Sequence, residues 1–504
     1  MADGYYERLS SLDHSFLLFE GPTTYMHVAA AALLDATPLT TPAGGIDMDR
    51  IRRYVGSRLK YIPTYRQRLH YMPVENHPVW VDDEDFDLGY HVRHSSLPKP
   101  GTEKQLRDLC ARLLERPLDR RKPLWEIWVI EGVSENRFAL FMKVHHCMVD
   151  GIAGVGLMSS LFSMTPDVEI EESAPWTPRP LPTNRDLLRD EMRRRARMSL
   201  DALRRLPRAL EEPRKATSAV RQRVGAFWDF LRTGVEGCAP TSVNKEIGPH
   251  RRMEWLNFSI DEVKEVKNRL GGTINDVVLA TVTGAVRSFL ERRGDHVVNG
   301  EFRVGVPVNL RGTPQASGTG NHIWAWIVPL PIHERSPQAR IRILHEETER
   351  LKNSEQAQGG ELVTTAVDWT SSNLLPFGVR LLTSMHPYNM LVTNVPGPPM
   401  PLYLLGARIH ALYPYAPLFN EQGLGIALFS YAGTLSWGIV GDWDTVPDLA
   451  EFAEAIRRAF YRLKRTGVES IRDRESRRSA GPPRHSDRQK TASTTNGTRL
   501  ATGA

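Results

Sequence analysis

Apolar and polar residues alternate along the chain with two different periods, which predict helices and strands in turn. In the first part of the chain, strands are predicted at 125–131 and 138–144, after an amphipathic helix at 103–115. In the second part the pattern again predicts both kinds of element, with helices at 260–270, 275–293 and 336–353 and strands at 302–308 and 323–330. Such alternation is typical of α/β and mixed α+β proteins, so we expect both parts to belong to this class.

The pattern also predicts how the folded part of the chain ends. Two apolar stretches, 424–430 and 434–440, flank Tyr431-Ala432-Gly433 and predict a hairpin, and a last helix is predicted at 447–465. From about residue 471 onward, arginines are mixed with Ser, Thr, Gly and Pro, and few apolar residues remain to be buried. We therefore expect residues 471–504 to form a disordered basic tail that is dispensable for chemistry.

A basic segment separates the two parts. Arginines are concentrated between residues 187 and 210, and Leu and Met side chains recur among them near helical spacing. We predict a basic amphipathic helix, interrupted near Pro207. Two interpretations stay open: the helix binds an anionic membrane or lipid-droplet surface, or it is an interdomain helix whose leucines pack on the protein. The predicted division is an N-terminal domain at 1–180, a helical linker at 181–240, a C-terminal domain at 241–470 and the tail.

Composition narrows the class of protein. With 504 residues and 41% hydrophobic content, the chain exceeds what one ordinary core supports, which agrees with two domains. The net charge of +6 is concentrated in the linker and the tail without a recognised nucleic-acid-binding fold, so a nucleic-acid partner is not expected. Three scattered cysteines are too few for a disulfide framework. Neither a signal peptide nor an apolar run of about eighteen residues is visible, so a cytoplasmic location is expected.

The strongest chemical signal is the segment His145-His146-Cys147-Met148-Val149-Asp150-Gly151. It lies between the predicted strand at 138–144 and an apolar stretch at 152–158 that is predicted to be a buried helix. A neutral imidazole can accept a proton near pH 7, and a glycine after the aspartate indicates a tight backbone turn. Structural histidines are the alternative. A metal site is not expected, because adjacent histidines on a strand point to opposite faces and no further ligand pattern accompanies them.

This segment resembles the HHxxxDG motif of acyl-CoA-dependent acyltransferases. Several further blocks, in the same order, resemble the bacterial wax ester synthase/diacylglycerol acyltransferase family, and together they extend from about residue 9 to about residue 465. These blocks are Leu9-Ser10-Ser11-Leu12-Asp13, Pro117-Leu118-Asp119, Pro123-Leu124-Trp125-Glu126, Asn244-Lys245-Glu246-Ile247-Gly248-Pro249, Thr273-Ile274-Asn275-Asp276, Val306-Pro307-Val308-Asn309 and Thr393-Asn394-Val395-Pro396-Gly397-Pro398.

The resemblance implies a fold and a set of site residues. The fold would be two domains resembling chloramphenicol acetyltransferase, placed side by side with the histidine segment in a central channel between them. His146 would be the general base, with His145 and Asp150 completing the motif and Asp150 holding the loop. The residues implied in supporting or structural roles are Gly151, Asn275, Asp276 and Asn394. From the residues themselves, Thr273 is predicted to cap a helix that carries Asn275 and Asp276 in its first turn. The oxyanion donors stay open.

The resemblance also implies an activity. His146 would take the proton of an acceptor hydroxyl, which attacks the thioester of a long-chain acyl-CoA; the donor is a co-substrate, and no resident cofactor or metal is implied. Diacylglycerol is the first expected acceptor and a long-chain fatty alcohol the second, with possible peripheral association at the inner membrane or lipid droplets. Acyl chain length and oligomeric state stay open.

Two alternative functions differ in what they require. A condensation-type acyltransferase would use a carrier-bound donor, although no carrier or adenylation module is attached here. A catalytically silent lipid-binding relative would keep the fold without needing an imidazole in the channel. Activity only with a carrier-bound donor would favour the first alternative, and lipid binding without turnover would favour the second.

Overall fold

The computed structural model describes residues 6–149, 158, 160–172, 175–211, 238–295, 302–309, 323–353 and 386–479. The helices in these ranges are α1 Ser11–Phe19, α2 Met48–Arg58, α3 Leu88–His91, α4 Glu103–Leu114, α5 Asn184–Glu211, α6 Ile260–Leu270, α7 Ile274–Arg293, α8 Pro337–Lys352 and α9 Leu449–Ser479. The strands are β1 Glu7–Arg8, β2 His27–Asp35, β3 Gln67–Tyr71, β4 Pro78–Asp82, β5 Val92–Ser96, β6 Trp125–Val133, β7 Arg137–His145, β8 Arg251–Ser259, β9 Arg303–Asn309, β10 Ile323–Pro329, β11 Met390–Pro396, β12 Tyr403–Leu404, β13 Ala407–Tyr415, β14 Leu424–Tyr431 and β15 Thr434–Asp442.

The first six-stranded sheet has the order β12-β13-β2-β7-β6-β5. Strands β2 and β7 are antiparallel neighbours, and their pairing places His27 opposite His145. The sheet does not follow the predicted division of the chain, because β12 and β13 come from beyond residue 400. The reason lies in packing: Ile409 and Leu412 of β13 share one core cluster with Leu34 of β2.

The second six-stranded sheet has the order β10-β9-β11-β14-β15-β8. Its centre is parallel, since β11 pairs in parallel with both β9 and β14. Helix α7 is buried on almost every face, as its residue pattern of Val, Leu, Ala and Phe requires, and it shares one apolar core with β14 and α9. Strands and helices thus alternate in both parts of the chain, as predicted.

The two sheets meet where β13 crosses β15. An added Cβ at Gly438 of β15 would lie only 1.7 Å from the carbonyl oxygen of Pro414 in β13, so only glycine permits this approach. Next to the crossing, the indole of Trp255 on β8 stacks on Tyr413 with ring centroids 4.5 Å apart. The two parts of the chain are therefore joined by packed side chains and not only by the linker.

The beginning of the basic linker helix is docked on the protein. Leu187 of α5 is fully buried against Val79 and Val81 of the small sheet β1-β4-β3 and against Met72, which directly follows β3. The helix runs through Pro207 to Glu211, so the predicted interruption near Pro207 is wrong.

One predicted boundary is corrected. The last helix, α9, continues to Ser479, so residues 471–479 lie in a helix rather than in the predicted tail; its Arg and Glu residues have good helix propensity. Strand β11 extends to Pro396, and its parallel pairing with β14 reaches Ser430. The apolar stretch at 152–158 and the tail at 480–504 fall almost entirely outside the described residues. None of the helices in the described ranges is long and apolar enough to cross a membrane.

Candidate active site

The two histidines of the motif lie where the central strand β7 ends. His145 is the last residue of β7, and His146 begins a 3-10 turn, His146–Met148. The backbone N–H of His145 donates to Leu124 O at 2.9 Å, and that of His146 donates to Met26 O at 2.7 Å. The predicted position of the motif at a strand end is confirmed, and the turn is held on both sides by these backbone hydrogen bonds.

His145 is buried, and both of its ring nitrogens have neighbours. The backbone N–H of Cys147 donates to Nδ1 at 3.1 Å, and Nε2 lies 3.2 Å from Oε1 of Glu20. Because Nδ1 accepts a hydrogen bond, the ring proton belongs on Nε2, which faces the carboxylate. His145 therefore links Glu20 to the backbone of the turn that carries His146.

Glu20 is the centre of a partly buried polar network. Its Oε1 accepts a hydrogen bond from the backbone N–H of Met26 at 3.1 Å, and its Oε2 accepts one from Nη2 of Arg120 at 2.7 Å. Burial by itself would raise the pKa of Glu20, but the hydrogen bonds and charges of His145, Arg120 and His27 outweigh it and lower the pKa to about 2. The carboxylate is therefore ionised at physiological pH.

His146 has a different environment from His145. Its ring stacks on that of Phe16 in α1, with centroids 3.9 Å apart and an interplanar angle of 27°. The residue is partly buried, and within the described ranges its Nδ1 is buried without a hydrogen-bond partner. Burial, with a further contribution from His145, lowers the pKa of His146 to about 4. The imidazole is therefore neutral near pH 7, in the form that can accept a proton.

The cysteine inside the motif is not activated. Cys147 is buried, and burial together with the negative charges of Asp13 and Glu20 raises the pKa of its thiol well above the ordinary value. A thiol in this state is not a nucleophile, since the thiolate is the reactive form. Asp150 and Gly151 lie outside the described residues, so their predicted roles stay predictions.

The predicted cap of α7 is confirmed. Thr273 is the N-cap, and its side chain and that of Asp276 form a reciprocal capping box. The buried carboxylate of Asp276 also accepts a hydrogen bond from Oγ1 of Thr348 at 2.9 Å and lies 2.9 Å from Nδ1 of His345. Asp276 thus ties α7 to α8. Asn275 is partly buried beside it, and neither residue forms a hydrogen bond to His145 or His146.

Asn394 lies on β11, partly buried and opposite Leu428 of β14. Just beyond it the chain turns tightly against β14, because a Cβ at Gly397 would lie 2.4 Å from Ser430 O and 2.3 Å from the Phe429 ring. This crowding explains the glycine in the Pro396-Gly397-Pro398 block and is in keeping with an architectural role.

Sequence reasoning missed four residues that surround the histidines. Glu20, Phe16 and Arg120 are described above. Lys143 on β7 is fully buried and donates to the carbonyl oxygens of Leu113 and Arg116 at 2.9 and 3.0 Å, next to the end of α4. The sequence feature that could have pointed to them is their position beside the family blocks. Phe16 and Glu20 follow the block at residues 9–13, and Arg120 follows the block at 117–119. Their convergence required the folded chain.

Comparison with known proteins places the chain in a family. The family model of the wax ester synthase/diacylglycerol acyltransferase catalytic domain matches residues 9–278, and the model of the C-terminal domain of the same family matches residues 319–464. A relative from Mycobacterium tuberculosis, named as a probable diacylglycerol O-acyltransferase, is 32% identical over 458 residues, which cover 90% of this chain and 95% of the relative. A Mycobacterium bovis relative with a similar name gives the same values.

Solved structures show the same fold. The wax ester synthase/diacylglycerol acyltransferase from Marinobacter aquaeolei VT8 has a TM-score of 0.63 and 25% identity, covering 92% of this chain and 100% of that one. The starter condensation domain of rhizomide synthetase has a TM-score of 0.54 at 11% identity, over 92% of this chain and 95% of that domain, which shows the fold alone. These likenesses agree with the expected pair of chloramphenicol-acetyltransferase-like domains. Since the catalytic-domain model by itself matches more than half of its residues, the chain belongs to the wax ester synthase/diacylglycerol acyltransferase family.

Proposed function

We propose that this chain is an acyl-CoA-dependent O-acyltransferase that esterifies diacylglycerol, with long-chain fatty alcohols as second acceptors. The names of its relatives support this acceptor class, because they are named as diacylglycerol O-acyltransferases and the Marinobacter protein also as a wax ester synthase. The observation that supports the chemistry most directly is the neutral, partly buried imidazole of His146 at the end of β7. No resident cofactor is part of this proposal.

In the proposed mechanism, His146 accepts the hydroxyl proton of the acceptor as its oxygen attacks the thioester carbonyl. The new C–O bond forms, the C–S bond breaks, and the imidazolium returns its proton to the leaving CoA thiolate. Burial disfavours the imidazolium of His146, so return of the proton is favoured. General base catalysis contributes about a hundred- to ten-thousand-fold, so alignment of the two substrates must supply much of the remainder.

The other motif residues have holding roles in this proposal. His145 fixes the turn between Glu20 and the backbone N–H of Cys147. Asp150 holds the following loop, and Gly151 permits its turn. The C-terminal part of the chain has supporting roles as well. The capped first turn of α7 contains Asn275 and Asp276, and the turn after β11 follows Asn394.

The condensation-type alternative is not favoured. The likeness to a condensation domain is at 11% identity and extends to the fold, whereas the relatives at 32% identity carry diacylglycerol O-acyltransferase names. The binding-only alternative is disfavoured because a silent protein has no chemical need for a neutral imidazole on a turn held from both sides.

The first test is release of free CoA from palmitoyl-CoA, with diacylglycerol or hexadecanol as acceptor and with the lipid product resolved. We expect release that depends on the acceptor and is lost in His146→Ala. His410→Ala, which removes an exposed histidine from β13, is the matched control and should keep the native rate. Full activity in His146→Ala would remove the base from the mechanism, and turnover only with a carrier-bound donor would establish the condensation reaction instead.

Peripheral association with an anionic membrane or lipid-droplet surface is the second part of the proposal. Beyond the docked Leu187, helix α5 presents Arg189 and Arg193 to solvent together with Met192, which is 69% exposed. Val74 in the neighbouring turn is 86% exposed and precedes Glu75, which pairs with Arg195 of α5. Exposed apolar side chains flanked by arginines are typical of surfaces that bind the headgroup region of a bilayer.

Flotation with phosphatidylglycerol vesicles tests this surface. Deleting α5 would expose the apolar residues under Leu187, so the sharper variant is Val74→Asp with Met192→Asp. We expect this double variant to lose most of its vesicle binding. The control is Arg457→Glu, which changes an arginine on α9 whose exposure is similar to that of the α5 arginines. This variant should bind vesicles as the native protein does. Native flotation of the double variant would exclude this surface.

A further inference from the structure

We infer that Phe16 is a positioning residue for the reaction: its ring holds the plane of the His146 imidazole and covers one face of it. This inference rests on the proposed role of His146 as the general base. Phe16 lies in the middle of α1, well separated in sequence from the motif, and its residue type alone does not indicate a part in acyl transfer. The indication comes from its contact with His146 in the folded chain.

The geometry of the stack restricts how the imidazole can turn. The two ring centroids are 3.9 Å apart and the ring planes are inclined by 27°, which is a close, stacked arrangement. Nδ1 of His145 accepts a hydrogen bond from the backbone N–H of Cys147, and its Nε2 lies 3.2 Å from a carboxylate oxygen of Glu20, whereas Nδ1 of His146 has no hydrogen-bond partner in the described part of the chain. The aromatic face of Phe16 is therefore the contact that limits rotation of the His146 ring.

Phe16 can hold another ring only if α1 is itself fixed, and the structure fixes it at both ends. Oγ of the N-cap Ser10 accepts a hydrogen bond from the backbone N–H of Asp13 at 3.0 Å. At the other end, Nη2 of Arg120 donates to Leu17 O at 2.8 Å and to Glu20 as well. Leu17 is buried in the core of the first sheet. Helix α1 therefore presents Phe16 as part of a rigid body.

The stack also keeps water from one face of the base. The charged group that acts on His146 is His145 of β7, and those that act on its neighbour Cys147 are Asp13 of α1, Glu20 just after α1 and Arg120 of the loop before β6. Replacing the ring of Phe16 by a smaller side chain would admit water without changing any of these groups. Because burial is the largest cause that lowers the pKa of His146, hydration should move that pKa back toward its ordinary value.

The experiment compares Phe16→Leu, Phe16→Tyr and Phe19→Leu in the full chain. Phe19 lies on the same helix and packs against Phe16 and Phe419 but not against His146, so it is the matched control. For Phe16→Leu we expect kcat to fall roughly tenfold with little change in KM for either substrate, and the acid limb of the kcat/KM profile to move to higher pH. Phe16→Tyr should restore most of kcat, and Phe19→Leu should keep the native acid limb.

A second measurement does not need turnover. The rate at which diethylpyrocarbonate modifies His146, followed by peptide mass spectrometry against pH, reports the accessibility and protonation of the ring. We expect faster modification and a higher apparent pKa in Phe16→Leu, and native values in Phe16→Tyr. These results would support the role of Phe16 even if the protein failed to transfer acyl groups. Failure of the proposed function can therefore be distinguished from failure of this inference.

The inference is overturned if Phe16→Leu keeps both the native kcat and the native modification rate. It is also overturned if Phe16→Tyr loses as much activity as Phe16→Leu while circular dichroism shows both folded, because the aromatic face would then not be what matters. Should Phe16→Leu fail to fold, Phe16→Met provides the same comparison, because the unbranched, flexible side chain of Met fills irregular gaps without a ring.

Discussion

At the scale of single residues, the two adjacent histidines differ because their neighbours differ. His145 faces a carboxylate with a pKa of about 2 and accepts a backbone hydrogen bond, whereas His146 faces an aromatic ring. The first imidazole is therefore suited to holding the turn, and the second to exchanging a proton. The sequence motif contains both histidines, but their contacts with Glu20 and Phe16 determine which one holds the turn and which one exchanges the proton.

Glu20→Gln tests this division of roles. The amide can still accept from the backbone N–H of Met26, but it loses the charge-assisted contacts to His145 and Arg120. We expect kcat to fall roughly tenfold to a hundredfold with little change in KM, because the base would be displaced rather than removed. Glu135→Gln, which neutralises an exposed carboxylate in the turn before β7, should have the native kcat. A native kcat in Glu20→Gln would mean that His145 needs no carboxylate.

At the scale of secondary-structure elements, local signals predicted most of what is observed. The helix at α4, the strands β6 and β7, the hairpin of β14 and β15 and the capped start of α7 all lie close to their predicted bounds. These elements depend on periodicity and capping within a few residues. The errors occur where a helix runs further than its local pattern predicts: α5 continues through Pro207, and α9 continues to Ser479.

Asp276→Ala removes a cap and a contact between helices at once. The carboxylate that closes the capping box of α7 also binds Thr348 of α8, so its loss leaves buried partners unpaired. We expect a loss of about 1–3 kcal/mol in unfolding free energy, seen as a lower midpoint in urea. Asp261→Ala, which removes an exposed carboxylate from the first turn of α6, should change the midpoint little. Equal midpoints for both variants would contradict this account of Asp276.

At the scale of the whole molecule, several histidines are buried in the neutral form. Burial, the largest cause in each, lowers the pKa values of His14, His91 and His146 to about 4 and those of His27 and His77 to about 3. In the unfolded chain these groups would take up protons near pH 6.5, while the folded chain would not. The stability that their neutral burial represents is therefore present above about pH 6.5 and lost as the pH falls toward 4 and below.

We accordingly expect the thermal midpoint to fall steadily between pH 7 and pH 4.5. Each buried histidine contributes up to about 1.4 kcal/mol per pH unit in this window, before any relaxation of the folded state. Differential scanning fluorimetry across this range measures it, and His410→Ala, which removes an exposed histidine, should leave the slope unchanged. A midpoint that is flat from pH 7 to pH 4.5 would mean that these histidines are hydrated or paired in solution.

The sequence by itself determined the class of fold, the position of the histidine segment at a strand end, the cap at Thr273 and, through its blocks, the family. These features depend on neighbouring residues along the chain or on the order of motifs, and both can be recognised without knowledge of the fold. Only the tertiary structure decided that β13 joins the first sheet, that Gly438 lets it cross β15, and that Phe16, Glu20 and Arg120 surround the two histidines. Those contacts join residues tens to hundreds of positions apart, and no local pattern encodes which distant side chains meet.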